Sequence, residues 1–236
     1  MNPYFRELAD ALEFDRVWDW RIMIHSDGLD KMRKRYDALN IGYYLDYRSD
    51  QGKIGTLLTP VAMADLDVYR SDTAWPRAFF TDRLATYREV GEFARLVANG
   101  DGRPFAATDA GEPLRPSFLQ PALGGRTVVP ATDYELTPNR TRFIIDAPRA
   151  GIAVLTEAWQ DQNFRAVLNG KPAAYLRVNH AFKGIVIPGP GRHEIEFRYS
   201  PRRFSLALIL AGVGLVPVVA GGWLVWRLRP GAAGRE

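Results

Sequence analysis

Two pairs of acidic residues are the first side chains in this sequence whose spacing could support chemistry. Asp65-Leu66-Asp67 has the Asp-x-Asp pattern with which some sugar transferases bind a metal–nucleotide pair. A three-residue match carries little information and no glycine-rich phosphate-binding loop lies nearby, so two solvated acids are the ordinary interpretation. Glu157 and Asp161 have the residue types of a glycosidase pair, which needs two carboxyl groups a few ångströms apart. Acids are common at a strand end and in the loop after it, so this pair alone does not predict a hydrolase.

Metal and nucleophile chemistry has less support still. The three histidines, His25, His180 and His193, are far apart in the sequence, and only His25 and His193 have an acidic residue within three positions. They therefore predict no metal site. The chain has no cysteine, which excludes disulfides, thiolate ligands and a cysteine nucleophile. No Gly-x-Ser-x-Gly, P-loop or dinucleotide motif occurs, and we predict no catalytic, metal or cofactor site in this chain.

Aromatic residues in the second half suggest another chemistry, which is stacking against sugars. Most of them should be core, because a sandwich of ~75 residues needs large side chains to bury enough area. Trp159 is the best candidate for an exposed contact, since polar residues follow it in a loop. Asp161 and Asn163 in that loop could hydrogen-bond hydroxyl groups, so Trp159, Asp161 and Asn163 form a candidate glycan contact.

The location of the charges argues against nucleic-acid binding. The chain has 236 residues, with 31 Lys and Arg and 27 Asp and Glu, for a net charge of +4. The charges of residues 1–200 cancel, and the excess comes from five arginines after residue 200, less Glu236. A nucleic-acid interface needs a basic stripe on the folded domain itself, so a DNA- or RNA-binding function is largely excluded.

A run of residues without a charge, 204–226, predicts one membrane-spanning helix. A helix of that length spans the ~30 Å hydrocarbon layer with some tilt. Leu, Ile and Val each favour insertion by about 0.3–0.6 kcal/mol, and no charged residue in the run opposes it. Trp223 and Trp226 lie where an aromatic belt would meet the far interface. Residues 227–236 follow as a short basic tail.

Charge does not fix the orientation of this helix. Four arginines precede it closely and three follow it, so the positive-inside rule is not decisive. The first 20 residues carry five acids and no apolar segment, and are therefore not a signal peptide. Taken alone, the chain is predicted to be tail-anchored with its body in the cytoplasm.

Helix and strand patterns alternate in the first part of the chain and predict a small α/β unit over residues 1–110. Three helices are predicted from their cap residues. The first starts at Asn2-Pro3, and the second starts at Ser26 and Asp27 and runs through Leu39. The third ends at Asn99-Gly100. Thr86-x-x-Glu89 predicts a capping box at the start of the third helix. Three strands are predicted at 41–47, 66–69 and 78–80, the first followed by the turn residues 49–52. Residues 111–125 are rich in Pro and Gly and predict a linker.

Alternation of polar and apolar residues predicts an antiparallel β-sandwich, of the immunoglobulin or jelly-roll type, over residues 126–200. Six strands are predicted, at 141–146, 151–157, 164–169, 173–179, 183–187 and 193–199. Asn169-Gly170 is the strongest hairpin signal, because both residues tolerate the positive φ of a type I′ turn. The fold class is therefore α+β: an α/β unit, a β-sandwich close to the bilayer, and one carboxyl-terminal membrane helix.

Several motifs resemble the carboxyl end of YfhO-type bacterial membrane proteins. The motifs in the last 60 residues are Leu168-Asn169-Gly170-Lys171-Pro172, Arg177-Val178-Asn179-His180-Ala181-Phe182-Lys183-Gly184-Ile185, and the segment from Pro188 to Tyr199 followed by Pro201 and the apolar helix. Looser matches are Leu39-Asn40-Ile41-Gly42-Tyr43-Tyr44, Leu66-Asp67-Val68-Tyr69 and Trp75-Pro76-Arg77-Ala78-Phe79-Phe80. The resemblance covers about residues 35–226.

The resemblance implies a function that the residues alone do not. YfhO-type proteins have many membrane helices and look like glycosyltransferases that use a polyprenyl-phosphate-linked sugar, with the acidic catalytic residue upstream of the region matched here. The chain would then correspond to the last part of such a protein, as a truncated product or one half of a split pair. The resemblance also implies that the soluble part lies outside the cytoplasm of a bacterial cell. This prediction conflicts with the tail-anchored topology, and we prefer it.

Three functional hypotheses follow. In the first, the chain is an extracytoplasmic accessory domain in cell-envelope glycosylation, non-catalytic by itself, whose partners are the lipid bilayer and an upstream polytopic membrane region or protein. In the second, it is a membrane-anchored β-module that binds an envelope glycan, a polyprenyl-linked sugar or a partner protein. The third, an autonomous hydrolase, has no set of residues behind it.

Overall fold

The computed structural model describes residues 2–14, 28–46, 54, 57–63, 65–113, 116–160 and 163–227. The four helices in this part of the chain are α1 (Pro3–Ala11), α2 (Leu29–Ala38), α3 (Val90–Asn99) and α4 (Phe204–Arg227). The strands before α3 are β1 (Tyr43–Asp46), β2 (Thr59–Met63), β3 (Asp67–Arg70), β4 (Ala78–Thr81) and β5 (Leu84–Tyr87). The strands after α3 are β6 (Ala106–Asp109), β7 (Val128–Pro130), β8 (Thr132–Thr137), β9 (Arg140–Ala147), β10 (Gly151–Ala158), β11 (Phe164–Leu168), β12 (Lys171–Ala173), β13 (Tyr175–Val178), β14 (Phe182–Ile187) and β15 (Gly191–Tyr199). The α+β class predicted from the sequence is confirmed.

The strands of the second half form a β-sandwich. Sheet 1 has the strand order β13-β14-β10-β4-β7, and sheet 2 has the order β12-β11-β15-β9-β8. Both sheets are antiparallel throughout. Their facing sides share one apolar core, to which sheet 1 contributes Phe80 and Leu155 and sheet 2 contributes Phe143, Ile195 and Phe197. Aligned packing of two amphipathic sheets is the stable solution for strands with this alternation.

The strand β4 belongs to the sandwich although it lies within residues 1–110. It pairs with β10 on one side and with β7 on the other. The stretch Ala78–Thr81 is completely buried, as a strand in the middle of a covered sheet must be. The first part of the chain is thus joined to the sandwich through a shared strand.

A helical layer covers the other face of sheet 1. Ile152 and Val154 of β10 pack in a second core with Leu8 of α1 and Phe93 of α3, whereas Ala153 and Leu155 point into the sandwich core. Burial on both sides explains why β10 has no polar alternation over its first five residues. No helix of the described part of the chain covers the outer face of sheet 2, and β9 and β15 accordingly alternate between buried and accessible residues.

The predicted strands of the second half are confirmed, with one subdivision. The predicted strand 173–179 is two elements, because β12 ends at Ala173 in sheet 2 and β13 starts at Tyr175 in sheet 1. Asn169 and Gly170 have φ of 52° and 77°, and Leu168 pairs with Lys171 across them. This is the predicted two-residue hairpin.

The predicted capping box is wrong. Thr86 lies inside β5, which pairs in parallel with β6, so its side chain is not at the helix start. Glu89 occupies the N-cap position without a side-chain hydrogen bond, and the Arg88 N–H donates to Glu92 Oε2 instead, at 2.7 Å. The acidic side chain that bonds back is thus one turn later than predicted. At the first helix the prediction is confirmed, since Asn2 accepts a hydrogen bond from the Tyr4 N–H.

The Asp-x-Asp segment enters a small three-stranded sheet with the order β1-β3-β2. Asp65 is exposed, but Asp67 has no exposed surface, so the interpretation as two solvated acids is wrong for Asp67. Asp67 and Tyr69 of β3 share the buried face of this sheet. The predicted cap residues Ser26 and Asp27 and the turn 49–52 lie outside the described residues.

The helix α4 matches the predicted span 204–226 to within one residue. It has 24 residues with a mean hydropathy of 2.3 in its most apolar window, and it is fully exposed. Length and composition make it a candidate membrane span, because an apolar helix of this length cannot remain uncovered in water without cost.

Candidate functional site

The connection between the sandwich and α4 is fixed by hydrogen bonds. The Ser200 N–H donates to the Asn163 carbonyl at 2.7 Å, and the Arg202 N–H donates to Asn163 Oδ1 at 3.4 Å. The Tyr199 N–H donates to the Asn139 carbonyl at 2.8 Å. These bonds hold the start of α4 against one end of the sandwich, which we call the α4 end.

Three adjoining cavities open at the α4 end. The first has a volume of about 630 Å³ and lies between sheet 2 and the helix, with Arg165, Arg202 and Ser205 among its lining residues. The second, of about 690 Å³, lies over the start of β11 and is lined in part by Trp159 and Tyr175. The third, of about 450 Å³, penetrates between the two sheets towards Glu157 and Thr141. Tyr199 lines all three.

A buried ion pair lies beside the third cavity. Lys183 has no exposed surface, and its Nζ is 2.9 Å from Glu157 Oε2. The same Nζ lies 3.7 Å from the centre of the Phe164 ring. Glu157 Oε1 accepts from Arg77 at 2.9 Å and from the Thr141 hydroxyl at 2.8 Å. One carboxylate thus has three donors, which is how a buried charge is tolerated.

The environment sets the ionisation of both partners. Burial acts to raise the pKa of Glu157, but the Lys183 charge and the three hydrogen bonds outweigh it and lower that pKa below its ordinary value. Burial lowers the pKa of Lys183 although Glu157 acts in the opposite direction. A glycosidase general acid needs a raised pKa, so Glu157 has the opposite tuning. Its proposed partner Asp161 lies outside the described residues.

The candidate glycan contact falls at the α4 end, but its members take separate positions. Trp159 is half-buried, lines the second cavity and packs edge-on against Tyr4 with ring centres 5.3 Å apart. Asn163 instead uses its side-chain oxygen to hold the Arg202 backbone. Asp161 lies outside the described residues.

His180 lies at the junction of α1 with the sandwich. Its Nε2 is 2.9 Å from Glu7 Oε2, and its Nδ1 is 3.5 Å from the Tyr87 hydroxyl. The Arg177 guanidinium lies 4.3 Å from the centre of the Tyr4 ring, next to this pair. Burial is the main cause that lowers the pKa of His180, and Arg177 adds to it, while Glu7 acts against it. The arrangement fastens α1 to the sandwich.

Stability should therefore fall on mild acidification. The unfolded chain protonates His180 near pH 6.5 and the folded chain only at lower pH, so the unfolded state binds more protons between these values. The contribution of His180 is present above pH 6.5 and is lost as pH falls through the folded pKa. We expect His180→Gln to lose less stability than the wild type between pH 7.5 and pH 5, measured by urea unfolding. An equal loss in both proteins would show that His180 is not responsible.

The remaining histidine and acidic candidates have structural contacts. His193 Nε2 lies 3.0 Å from the Gly189 carbonyl and its Nδ1 lies 3.1 Å from the Asn169 amide. These contacts connect two tight turns of the sandwich. Within the described part of the chain, no group of three or more His, Asp or Glu side chains could hold a metal ion. His25 is not in that part.

Sequence reasoning missed the buried ion pair and the arginines around the cavities. A single lysine in an alternating strand gives no sign of burial, so the sequence does not distinguish Lys183 from a solvent-exposed lysine. Arg77 and Glu157 are far apart in the sequence and meet only because β4 joins β10 in sheet 1. The signal that could have identified Lys183 is its register, because it shares one face of the predicted strand with Ile185 and Ile187.

Comparisons with known proteins give no neighbour: no family model matches the chain, and neither a curated protein nor a solved structure is detectably similar to it.

Proposed function

We propose that the chain is a membrane-anchored accessory domain that is non-catalytic by itself and acts with a membrane-embedded partner in cell-envelope glycosylation. In this proposal α4 spans the bacterial cell membrane and the soluble part lies outside the cytoplasm. The partner is the polytopic membrane region or protein that precedes this domain in YfhO-type proteins. The domain would cover the acceptor side of a catalytic site built by that partner.

The observation that carries the proposal is the continuity between the cavities and the candidate span. Ser205 in the first turn of α4 and Asn139 at the start of β9 line the same cavity. Asn163 fixes the chain between β15 and α4, so the cavities stay next to the start of the helix. If α4 lies in a bilayer, these cavities open at the height of the lipid headgroups, where a membrane enzyme handles a lipid-linked substrate.

The state of Glu157 supports a non-catalytic role for this domain. It is the carboxylate nearest to the base of the third cavity, and its oxygens are bonded to Lys183, Arg77 and Thr141. A residue held in this way stabilises the sandwich, because each of its two oxygens already accepts a hydrogen bond. In this proposal the catalytic acids come from the partner.

The proposal is tested by glycosyl transfer in membranes. A strain without this gene is complemented with the wild-type chain, with Trp159→Ala, or with the control Arg192→Ala at the opposite end of the sandwich. Transfer from the lipid-linked sugars of the same membranes to envelope acceptor should be lost in the deletion strain, restored by wild type and control, and reduced in the Trp159 variant. The purified full-length chain in synthetic vesicles should show none. Transfer by the purified chain alone, or full transfer in the deletion strain, would contradict the proposal.

A second candidate is a membrane-anchored β-module that binds an envelope glycan or a partner protein without serving an enzyme. The second cavity favours it, because Trp159, Phe164 and Tyr175 line it together with the charged side chains of Arg198 and Glu196. Aromatic surfaces beside polar groups suit sugar rings. Binding of solubilised envelope glycan with an undiminished transfer activity in the deletion strain would favour this candidate over the first.

A further inference from the structure

The register of sheet 2 places three arginines side by side at the α4 end. Arg165 of β11 is opposite Arg198 of β15, and Arg198 is opposite Arg140 of β9. All three lie on the outer face, since their neighbours Ala166, Thr141 and Phe197 are buried. Like charges directly opposite each other destabilise a sheet. We call this row of Arg140, Arg165 and Arg198 the arginine rim.

Carboxylates compensate the rim only in part. Arg198 pairs with Glu196 at 2.8 Å, and Arg140 pairs with Glu135 and lies 3.9 Å from Glu196. Glu196 and Glu135 lie in the next row of cross-strand neighbours, on either side of Arg142 and further from α4. Glu135 also forms an ion pair with Arg142. Among the residues that the structure describes, the Arg165 guanidinium has neither an ion pair nor a hydrogen bond. The row nearest to α4 therefore carries an excess of positive charge.

The first cavity continues this positive surface towards the candidate span. Arg165 lines one side of it and Arg202 the other, with Asn139, Ser200 and Ser205 between them. Among its described lining residues none is acidic. Guanidinium groups with amide and hydroxyl donors around an open cavity are the groups that bind phosphate oxygens.

We propose that the arginine rim binds the phosphate headgroups of anionic phospholipids at the first cavity. The inference rests on the proposed membrane anchoring, because insertion of α4 would bring the α4 end to the headgroup layer. Each arginine near an anionic surface should strengthen the preference for anionic lipid about fivefold. The binding would fix the tilt of the sandwich on the membrane and thereby aim its cavities.

The test is lipid retention by the full-length chain. The protein is purified in micelles that contain phosphatidylglycerol and phosphatidylcholine with the same acyl chains, and the retained lipids are counted by native mass spectrometry. The rim variant Arg165→Gln/Arg198→Gln is compared with Arg149→Gln/Arg192→Gln, which removes two exposed arginines at the other end of the sandwich. Circular dichroism checks that both variants are folded.

We expect the wild type and the control to retain phosphatidylglycerol preferentially, and the rim variant to lose about 25-fold of that preference. Equal loss in the rim variant and the control, or equal retention of both lipids by the wild type, would overturn the inference while leaving membrane anchoring intact. Retention of neither lipid would also overturn the inference but not the anchoring, because detergent can cover α4 in place of lipid. Displacement of the lipid by millimolar glycerol phosphate in solution would also overturn the inference that the rim binds lipid, since the site would then recognise a free phosphate.

Discussion

Glu157→Gln should destabilise the sandwich by about 3–5 kcal/mol, since removal of one partner from a buried ion pair leaves the other charge uncompensated. Lys183 has no exposed surface and lies 2.9 Å from the Glu157 carboxylate. The variant keeps the size of the side chain and removes only its charge. Urea unfolding of the full-length protein measures the free-energy change.

The matched control is the double variant Glu157→Leu/Lys183→Met. Replacing both members of a buried pair by apolar residues of similar volume is often neutral or stabilising, so most of the lost stability should return. A single variant as stable as the wild type would contradict the account, because Lys183 would then have another source of compensation. A double variant as unstable as the single one would assign the effect to packing or to the lost hydrogen bonds of Arg77 and Thr141 rather than to charge.

The second large effect is expected in α4. Leu215→Arg/Val219→Arg places two charges one turn apart near the middle of the helix, and each costs about 2.5–3.5 kcal/mol at the centre of a membrane span. We expect the wild-type chain to be resistant to carbonate extraction from membranes and the double variant to be released or degraded.

The control Leu215→Phe/Val219→Leu changes the same positions without adding charge and should remain in the membrane fraction. Equal resistance of the arginine variant to extraction would show that the chain is held by something other than insertion of this helix. Both outcomes are independent of which side of the membrane the sandwich occupies.

Local pattern was sufficient for most elements of the sandwich, but it did not predict β7 and β8. The alternation in 193–199 and the Asn169-Gly170 turn predict β15 and the β11–β12 hairpin, and both are confirmed. The apolar run predicts α4, because 18 or more consecutive apolar residues are rare in the buried core helix of a soluble protein.

Local pattern does not predict which strands pair when they are far apart in the sequence. No local pattern indicates that β4 pairs with β10. Nor does one indicate that Thr86 lies in a strand paired in parallel with β6, instead of at a helix cap. The arginine rim has the same origin, because Arg140, Arg165 and Arg198 become neighbours only through the register of three strands. Each of these arginines, taken alone, is interpreted as an ordinary solvent-exposed residue. Only the alignment of the strands shows that they form one surface.

The most direct test of the central claim measures how deeply single cysteines lie in the membrane. The native chain has no cysteine, so Val216→Cys in the middle of α4 and Lys171→Cys on the sandwich can each be labelled without background. With membranes intact, a water-soluble maleimide should leave Val216→Cys unmodified until detergent is added and should modify Lys171→Cys when applied from outside cells. Labelling of Val216→Cys at the same rate as Lys171→Cys in intact membranes would contradict the claim that α4 spans the bilayer.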